Sequence, residues 1–273
     1  MLLYTKNQSF SIWITLIINR LFYMLKTLEN IFLSSQIETP DKHFVKIHSN
    51  TSKEQGLFLQ RIFDEIKPKK TLEVGLAYGI STLFILEKHR EYLSIPKSHI
   101  VIEPFPWDGV AEYNIQKESL SAFVDIKYLK SDEVLPRLFY ENQHIQYAYI
   151  DTTKNFDTVL HDFYFIDKIL DLNGVVIFDD CGGTWPGVQR VVRFVNTLPH
   201  YKIYAMHNKQ KIALKKNTMK KIISIILGFL PFKKVLYPTI CFKSDSELGL
   251  DYACIAFQKH SHDKREWNWD SAF

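Results

Sequence analysis

Glycines at 75 and 79, with Ala77 between them, follow the apolar run at 71–74 and precede a helix-compatible run at 81–88. Small residues at such spacing let backbone turn sharply and approach a ligand, because a Cβ would clash. A strand, a small-residue loop and a helix N-terminus together make a cofactor cradle at the carboxyl edge of a parallel sheet. The spacing, counted from Glu73, is Glu-x-Gly-x-x-x-Gly. The dinucleotide fingerprint Gly-x-Gly-x-x-Gly is therefore absent, as is a phosphate-loop Gly-Lys-Ser/Thr. The other candidates are acids. Glu103, Asp151, Asp179 and Asp180 stand at the ends of apolar runs, where open parallel sheets bind their ligands. Lys154 follows Asp151 by three residues, while His161 and the other histidines have no ligand spacing and read as exposed or structural. Cys181, Cys241 and Cys254 form no Cys-x-x-Cys pair. That argues against a disulfide framework or a zinc site and fits a reducing, cytoplasmic setting.

The elements that must position these residues alternate in period. A helical pattern at 53–66 stops before Pro68; strands are expected at 71–74, 98–102, 125–129, 145–150 and 175–178. A helix over 158–170, closed by Asn173-Gly174, separates the last two. A helix at 188–198 and strands at 201–206 and 252–258 complete the set. Strands alternating with helices predict an α/β chain with a doubly wound, parallel, seven-stranded Rossmann-like sheet.

Composition is that of a globular protein, 46% hydrophobic and 23% charged. The net charge of +4 is uneven: residues 209–234 hold eight lysines and no acid, which leaves −4 on the remainder. The body is thus not expected to bind nucleic acid. The basic stretch lies in a long insertion, 208–250, between the sixth and seventh strands. Met219, Ile222, Ile223, Ile226, Leu227 and Leu230 recur at helical spacing there, with lysines at both ends and Pro231 as a stop. Such a face lies in an anionic membrane surface, through 215–234, or folds over an acceptor pocket as a lid. Residues 1–35 read as an N-terminal amphipathic helix with Ile14, Ile18, Leu21, Leu25 and Phe32 near one face. It is too interrupted by charge to span a membrane and packs on the 36–273 domain, on a partner subunit in a homo-oligomer, or in a membrane interface.

In this order the motifs resemble a known family. The run from Ile150 to Asp162 aligns with a bacterial methyltransferase pattern, Asp-Gly-Asp-His-Ser-Tyr followed further on by an acid. Gly174-Val-Val-Ile-Phe-Asp-Asp180 and Trp185-Pro-Gly-Val188 are similar to its next block, and Asp263-Lys-Arg-Glu-Trp-Asn-Trp269 to its terminus. The family is that of the class I S-adenosylmethionine (SAM) methyltransferases, of bacterial O-methyltransferase type. The resemblance implies SAM as cofactor, with Glu73, Gly75, Ala77, Gly79 and Ser81 around its methionine part. It implies Glu103 on the ribose hydroxyls, since a carboxylate has acceptors for both, and Ser131 and Asp132 near the adenine.

In catechol-type members an acid after the fourth strand and an acidic pair after the fifth hold Mg²⁺, here Asp151, Asp179 and Asp180. A lysine at the offset of Lys154 takes the acceptor's proton. The pattern's glycine, second acid and histidine are Thr152, Thr153 and Lys154 in this chain. That departure leaves open a metal-independent enzyme in which Asp151 orients the cofactor's amino group. The expected activity is O-methylation of a small or saccharide-like hydroxyl acceptor. Two other classes compete with it: a nucleotide-dependent oxidoreductase on a similar sheet, and a catalytically degenerate, membrane-associated binding module.

Overall fold

The computed structural model describes residues 24–48, 51–182, 185–209 and 243–270. The insertion helix at 219–230, with the lysines of 215–234, lies outside the described residues, as do Ile14, Ile18 and Leu21 of the N-terminal segment. No helix among the described residues is long and apolar enough to cross a membrane.

The described residues open with α1 (Lys26–Ser34) and a two-stranded hairpin, β1 (Gln36–Glu38) and β2 (Phe44–Lys46). It continues through α2 (Lys53–Ile66), β3 (Thr71–Val74), α3 (Ile80–Glu91), β4 (His99–Ile102), α4 (Val110–Lys117), β5 (Val124–Lys127) and α5 (Ser131–Tyr140). The remainder is β6 (Ile145–Ile150), α6 (Phe156–Ile169), β7 (Leu170–Phe178), α7 (Pro186–Thr197), β8 (Tyr201–Lys209) and β9 (Tyr252–Lys259).

Seven strands form one sheet in the order β5-β4-β3-β6-β7-β9-β8. The first five are parallel; β9 runs antiparallel between β7 and β8. The parallel, doubly wound, seven-stranded sheet expected from alternation is observed, with β9 antiparallel to both its neighbours. Strands β8 and β9 pair as antiparallel neighbours, with Tyr201 opposite Lys259 and Lys209 opposite Tyr252.

Period-two side chains divide the sheet into two cores. Ala148 and Ile150 of β6, with Val176 and Phe178 of β7, pack with α5, α6 and α7. Tyr147, Tyr149, Val175 and Ile177 face the other way, onto Phe58, Leu59, Ile62 and Phe63 of α2. Both tyrosine hydroxyls have partners, as burial demands: Tyr147 donates to Leu59 O at 3.3 Å and Tyr149 to Asp179. Leu25, Leu28 and Ile31 bury α1 against α3 and α4, so the described end of the N-terminal segment packs on the domain.

Several boundaries differ from expectation. The Asn173-Gly174 pair does not close a helix: α6 runs straight into β7 at Leu170, and the pair sits at the register irregularity of the β6–β7 ladder. The β1–β2 hairpin is three residues a side, too short to show a period. Helix α5 contains Pro136, a residue that normally interrupts helical patterns.

Candidate active site

The parallel ladder carries its hydrogen bonds past the strand ends and so fixes the loops at its carboxyl edge. Gly75 N donates to Ile102 O at 2.9 Å, Asp151 N to Val74 O at 2.9 Å, Asp179 N to Ile150 O at 3.1 Å and Glu103 N to Lys127 O at 3.1 Å. These loops enclose a cavity of about 860 Å³. Gly75, Ala77, Ser81, Glu103, Ser131, Asp132 and Asp151 all line it.

Gly75 has φ +100°, and a Cβ there would stand 2.0 Å from the carbonyl oxygen of Asp151. The close approach it permits is to the protein's own backbone, which brings the β3 and β6 loops together. Ala77, at φ 44°, takes the same left-handed region at the cavity wall. Glu103 accepts from Leu76 N (3.0 Å) and Ala77 N (3.2 Å) on Oε2 and from Phe105 N (3.0 Å) on Oε1. A carboxylate has about four acceptor positions, so about one remains for a ligand.

Two residues of the expected cofactor set do not line the cavity. Gly79 starts α3, where a Cβ would meet Ala111 Cβ at 2.9 Å, so it serves helix packing. Glu73 is fully buried beneath the loop, accepting from Ser81 Oγ and Thr82 Oγ1 and lying 3.1 Å from His99 Nε2.

Asp151, Asp179 and Asp180 each offer a carboxylate oxygen within 4.8 Å of the others. Lys154 Nζ stands among them, 2.5 Å from Asp151 Oδ1 and 3.0 Å from Asp180 Oδ2. Burial and the charge of Asp179 push Asp151 up to about 7 against the pull of Lys154. Burial lowers the pKa of Lys154, but Asp151 and Asp180 outweigh it and hold the ammonium well above its ordinary value. Asp179 is held by Tyr149 Oη at 3.0 Å, Cys254 Sγ at 2.9 Å and Asp180 N at 2.8 Å. Gln55 of α2 reaches Tyr149 Oη at 2.9 Å and so fixes that tyrosine in turn. Asp180 itself sits at φ 54°, a left-handed turn that aims its carboxylate back at Lys154.

Sequence reasoning missed the aromatic wall and one histidine. Tyr78, Phe105 and Trp107 line the cavity, with the Tyr78 and Trp107 rings 5.4 Å apart. Trp107, Asp108 and Gly109 all have positive φ, so this stretch is tightly wound. The readable signal was Pro104-Phe-Pro-Trp107 directly after a strand-ending acid. His161 also lines the cavity. Behind it lies buried Asp162, whose Oδ2 has no hydrogen-bond partner. Burial pushes Asp162 up to about 6.

Residues 72–181 match the sequence model of a methyltransferase-domain family. No curated protein matches by sequence. Among solved structures, the O-methyltransferase TomG from Streptomyces achromogenes, in complex with SAM, aligns with a TM-score of 0.54 at 13% identity, over 89% of this chain and 93% of that one. Cofactor-bound Rv0187 from MTB gives 0.55 at 14%, over 79% and 84%. The Bacillus cereus O-methyltransferase in complex with SAH gives 0.50 at 19%, over 59% and 78%. The fold is that of the class I methyltransferases. The domain match spans β3 to β7 and so includes the loops after β3, β4, β5 and β6 that line the cavity.

Proposed function

We propose that the chain transfers the methyl group of SAM to a hydroxyl of a small or saccharide-like acceptor. The observation that carries this reading is a single cavity that joins the Gly75–Ser81 loop, Glu103, Ser131 and Asp132 to Asp151, which Lys154 in turn links to Asp180. One end suits an adenosine and an amino acid; the other offers titrating groups to an acceptor hydroxyl. In this reading Glu103 takes a ribose hydroxyl on its remaining acceptor position, and Ser131 and Asp132 face the adenine. Transfer is an in-line displacement at the sulfonium, with positioning supplying much of the rate.

Three carboxylates against one ammonium leave negative charge uncompensated, and their all-oxygen donor set suits a hard divalent cation such as Mg²⁺. Asp151, Asp179 and Asp180 would hold it. When bound, such an ion lowers the pKa of a neighbouring acceptor hydroxyl. Lys154, paired as it is, stays charged; it becomes a base only when its carboxylate partners are engaged elsewhere. A metal-independent reading is favoured by that same ion pair, which already places a cation among the acids. There Asp151, with a pKa about 7, accepts the hydroxyl proton.

Calorimetry against SAM and NAD(H) tests the cofactor: SAM binding without NAD(H) binding is expected, and the reverse overturns the proposal. Turnover of diols, phenols and sugars with and without EDTA then separates the two mechanisms. Loss of turnover on chelation, with SAM affinity intact, supports the metal; full activity in excess EDTA removes it. Peripheral contact with anionic membrane through 215–234 is a separate proposal from the sequence.

A further inference from the structure

A second cleft lies beneath α5, away from the carboxyl edge that builds the active-site cavity. It opens along β5, the outermost strand on that side of the sheet, and holds about 380 Å³. That is toward the lower end of small-molecule sites. Its floor is core: Ile100 of β4 with Val134 and Leu138 of α5, all buried. Leu129, 37% exposed, adds a further apolar side chain to the lining.

The rim is charged. Asp125 and Lys127 of β5 stand in register with Ile100 and Ile102 of β4 and so share their face of the sheet. Lys70 and Lys97 enter from the segments leading into β3 and β4, where Thr71 N donates to Ser98 O at 2.9 Å. Helix α5 runs back toward that amino edge and contributes Arg137, with Glu141 just past its end. Basic groups outnumber acids in this lining. Asp125 is taken by Lys127 at 3.0 Å, and Arg137 pairs outward with Glu133 at 3.8 Å. Lys70 Nζ donates to Gln143 Oε1 at 2.9 Å, a partner that carries no charge. Neither Lys70 nor Lys97 forms an ion pair among the described residues, and Glu141 alone of the lining's acids is left to face both.

Two uncompensated ammonium groups beside an apolar floor match a ligand with an anionic end and an apolar body. We propose that this cleft is a second ligand site, separate from the reaction, for a small organic anion. Its carboxylate or phosphate meets Lys70 and Lys97, and an aromatic or short acyl body covers Ile100, Val134 and Leu138. None of the groups assigned to methyl transfer lines the cleft, so its occupant is not the acceptor. The inference stands independently of the SAM reading.

The test is calorimetry on the full chain with 4-phenylbutyrate and phenyl phosphate. The uncharged 4-phenyl-1-butanol and inorganic phosphate serve as controls for each half of the ligand. At least one anionic probe should bind saturably and more tightly than either control. Replacing both lysines, Lys70→Gln with Lys97→Gln, should weaken that probe about tenfold or more, the loss of charge-assisted hydrogen bonds. Affinity for phenylbutanol should not change. Absence of saturable binding by both anionic probes up to about 10 mM overturns the inference. So does an alcohol that binds as well as the anions, or undiminished anion binding in the double variant. Should the double variant not fold, undiminished binding in Lys97→Gln, at an exposed position, overturns it alone.

Discussion

Glu103 illustrates how much one side chain is asked to do. Its carboxylate holds three backbone N–H groups of the two loops beside the cavity, so its role toward a ribose cannot be separated from its role in loop closure. Glu103→Ala should weaken SAM about tenfold or more and also lower the melting temperature, because buried N–H groups are left unpaired. Unchanged SAM affinity in a folded Glu103→Ala protein would contradict the assignment. Asp151 gives a prediction in pH. Its folded pKa of about 7 lies above the ordinary value of 3.8, so its charged form is disfavoured in the native state. The stability tied to its proton is present below about pH 4 and is lost as pH rises toward 7. The difference in denaturation midpoint between Asp151→Asn and wild type should therefore grow in the variant's favour from pH 4 to 7. A constant difference would show that Asp151 titrates normally. The acids at strand ends were legible because an apolar run with a terminal carboxylate names both an edge and a ligand. Glu73 was not, because the signal that places it, two histidines and a threonine on neighbouring elements, is contact rather than spacing.

At the scale of elements, the Lys154 loop is shaped by a helix that starts thirty residues on. A Cβ on Gly187, at the first turn of α7, would stand 2.3 Å from Lys154 O and 2.7 Å from Phe156 N. The Trp185-Pro-Gly block thus lets α7 begin directly against the loop that carries Lys154. Gly187→Ala should push that loop outward and disturb the Lys154–Asp180 pair. The expected result is a fall in kcat of tenfold or more that exceeds any loss of SAM affinity, since the Lys154–Asp180 pair is disturbed directly. Wild-type kcat in Gly187→Ala would show that the loop yields freely. The same scale shows what periodicity conveys. Strands β3, β4 and β6 are bounded apolar runs and fall where their pattern places them, whereas β7 reaches back to Leu170. Helix α5 was missed because Pro136 breaks its pattern, and β9 turned antiparallel because direction is set by pairing.

For the whole molecule, charge and topology point the same edge outward. Strand β8 is antiparallel to β9, which is antiparallel to β7, so β8 runs with β7 and its last residue, Lys209, lies toward the edge that carries Asp179 and Asp180. Tyr252 pairs with Lys209 there, and Arg193 holds the returning chain through Asp245 at 2.6 Å and Lys243 O at 3.0 Å. The described chain thus stops at Lys209 and returns into β9 at Tyr252 on the sheet edge that carries Asp179 and Asp180, with the basic insertion between them. If its lysines meet an anionic lipid surface, that edge faces the lipid, and a membrane-borne acceptor would need no further transport. Each lysine near such a surface contributes about 1 kcal/mol, and the sum fades with salt. Co-sedimentation with vesicles containing phosphatidylserine should therefore pull the protein down at low salt, with release at about 0.5 M. Vesicles of phosphatidylcholine alone should not bind it. Replacing the lysines at 215, 216, 220 and 221 by glutamine should abolish binding while SAM affinity survives. Absence of binding to anionic vesicles at low salt would remove the membrane from the function of this chain.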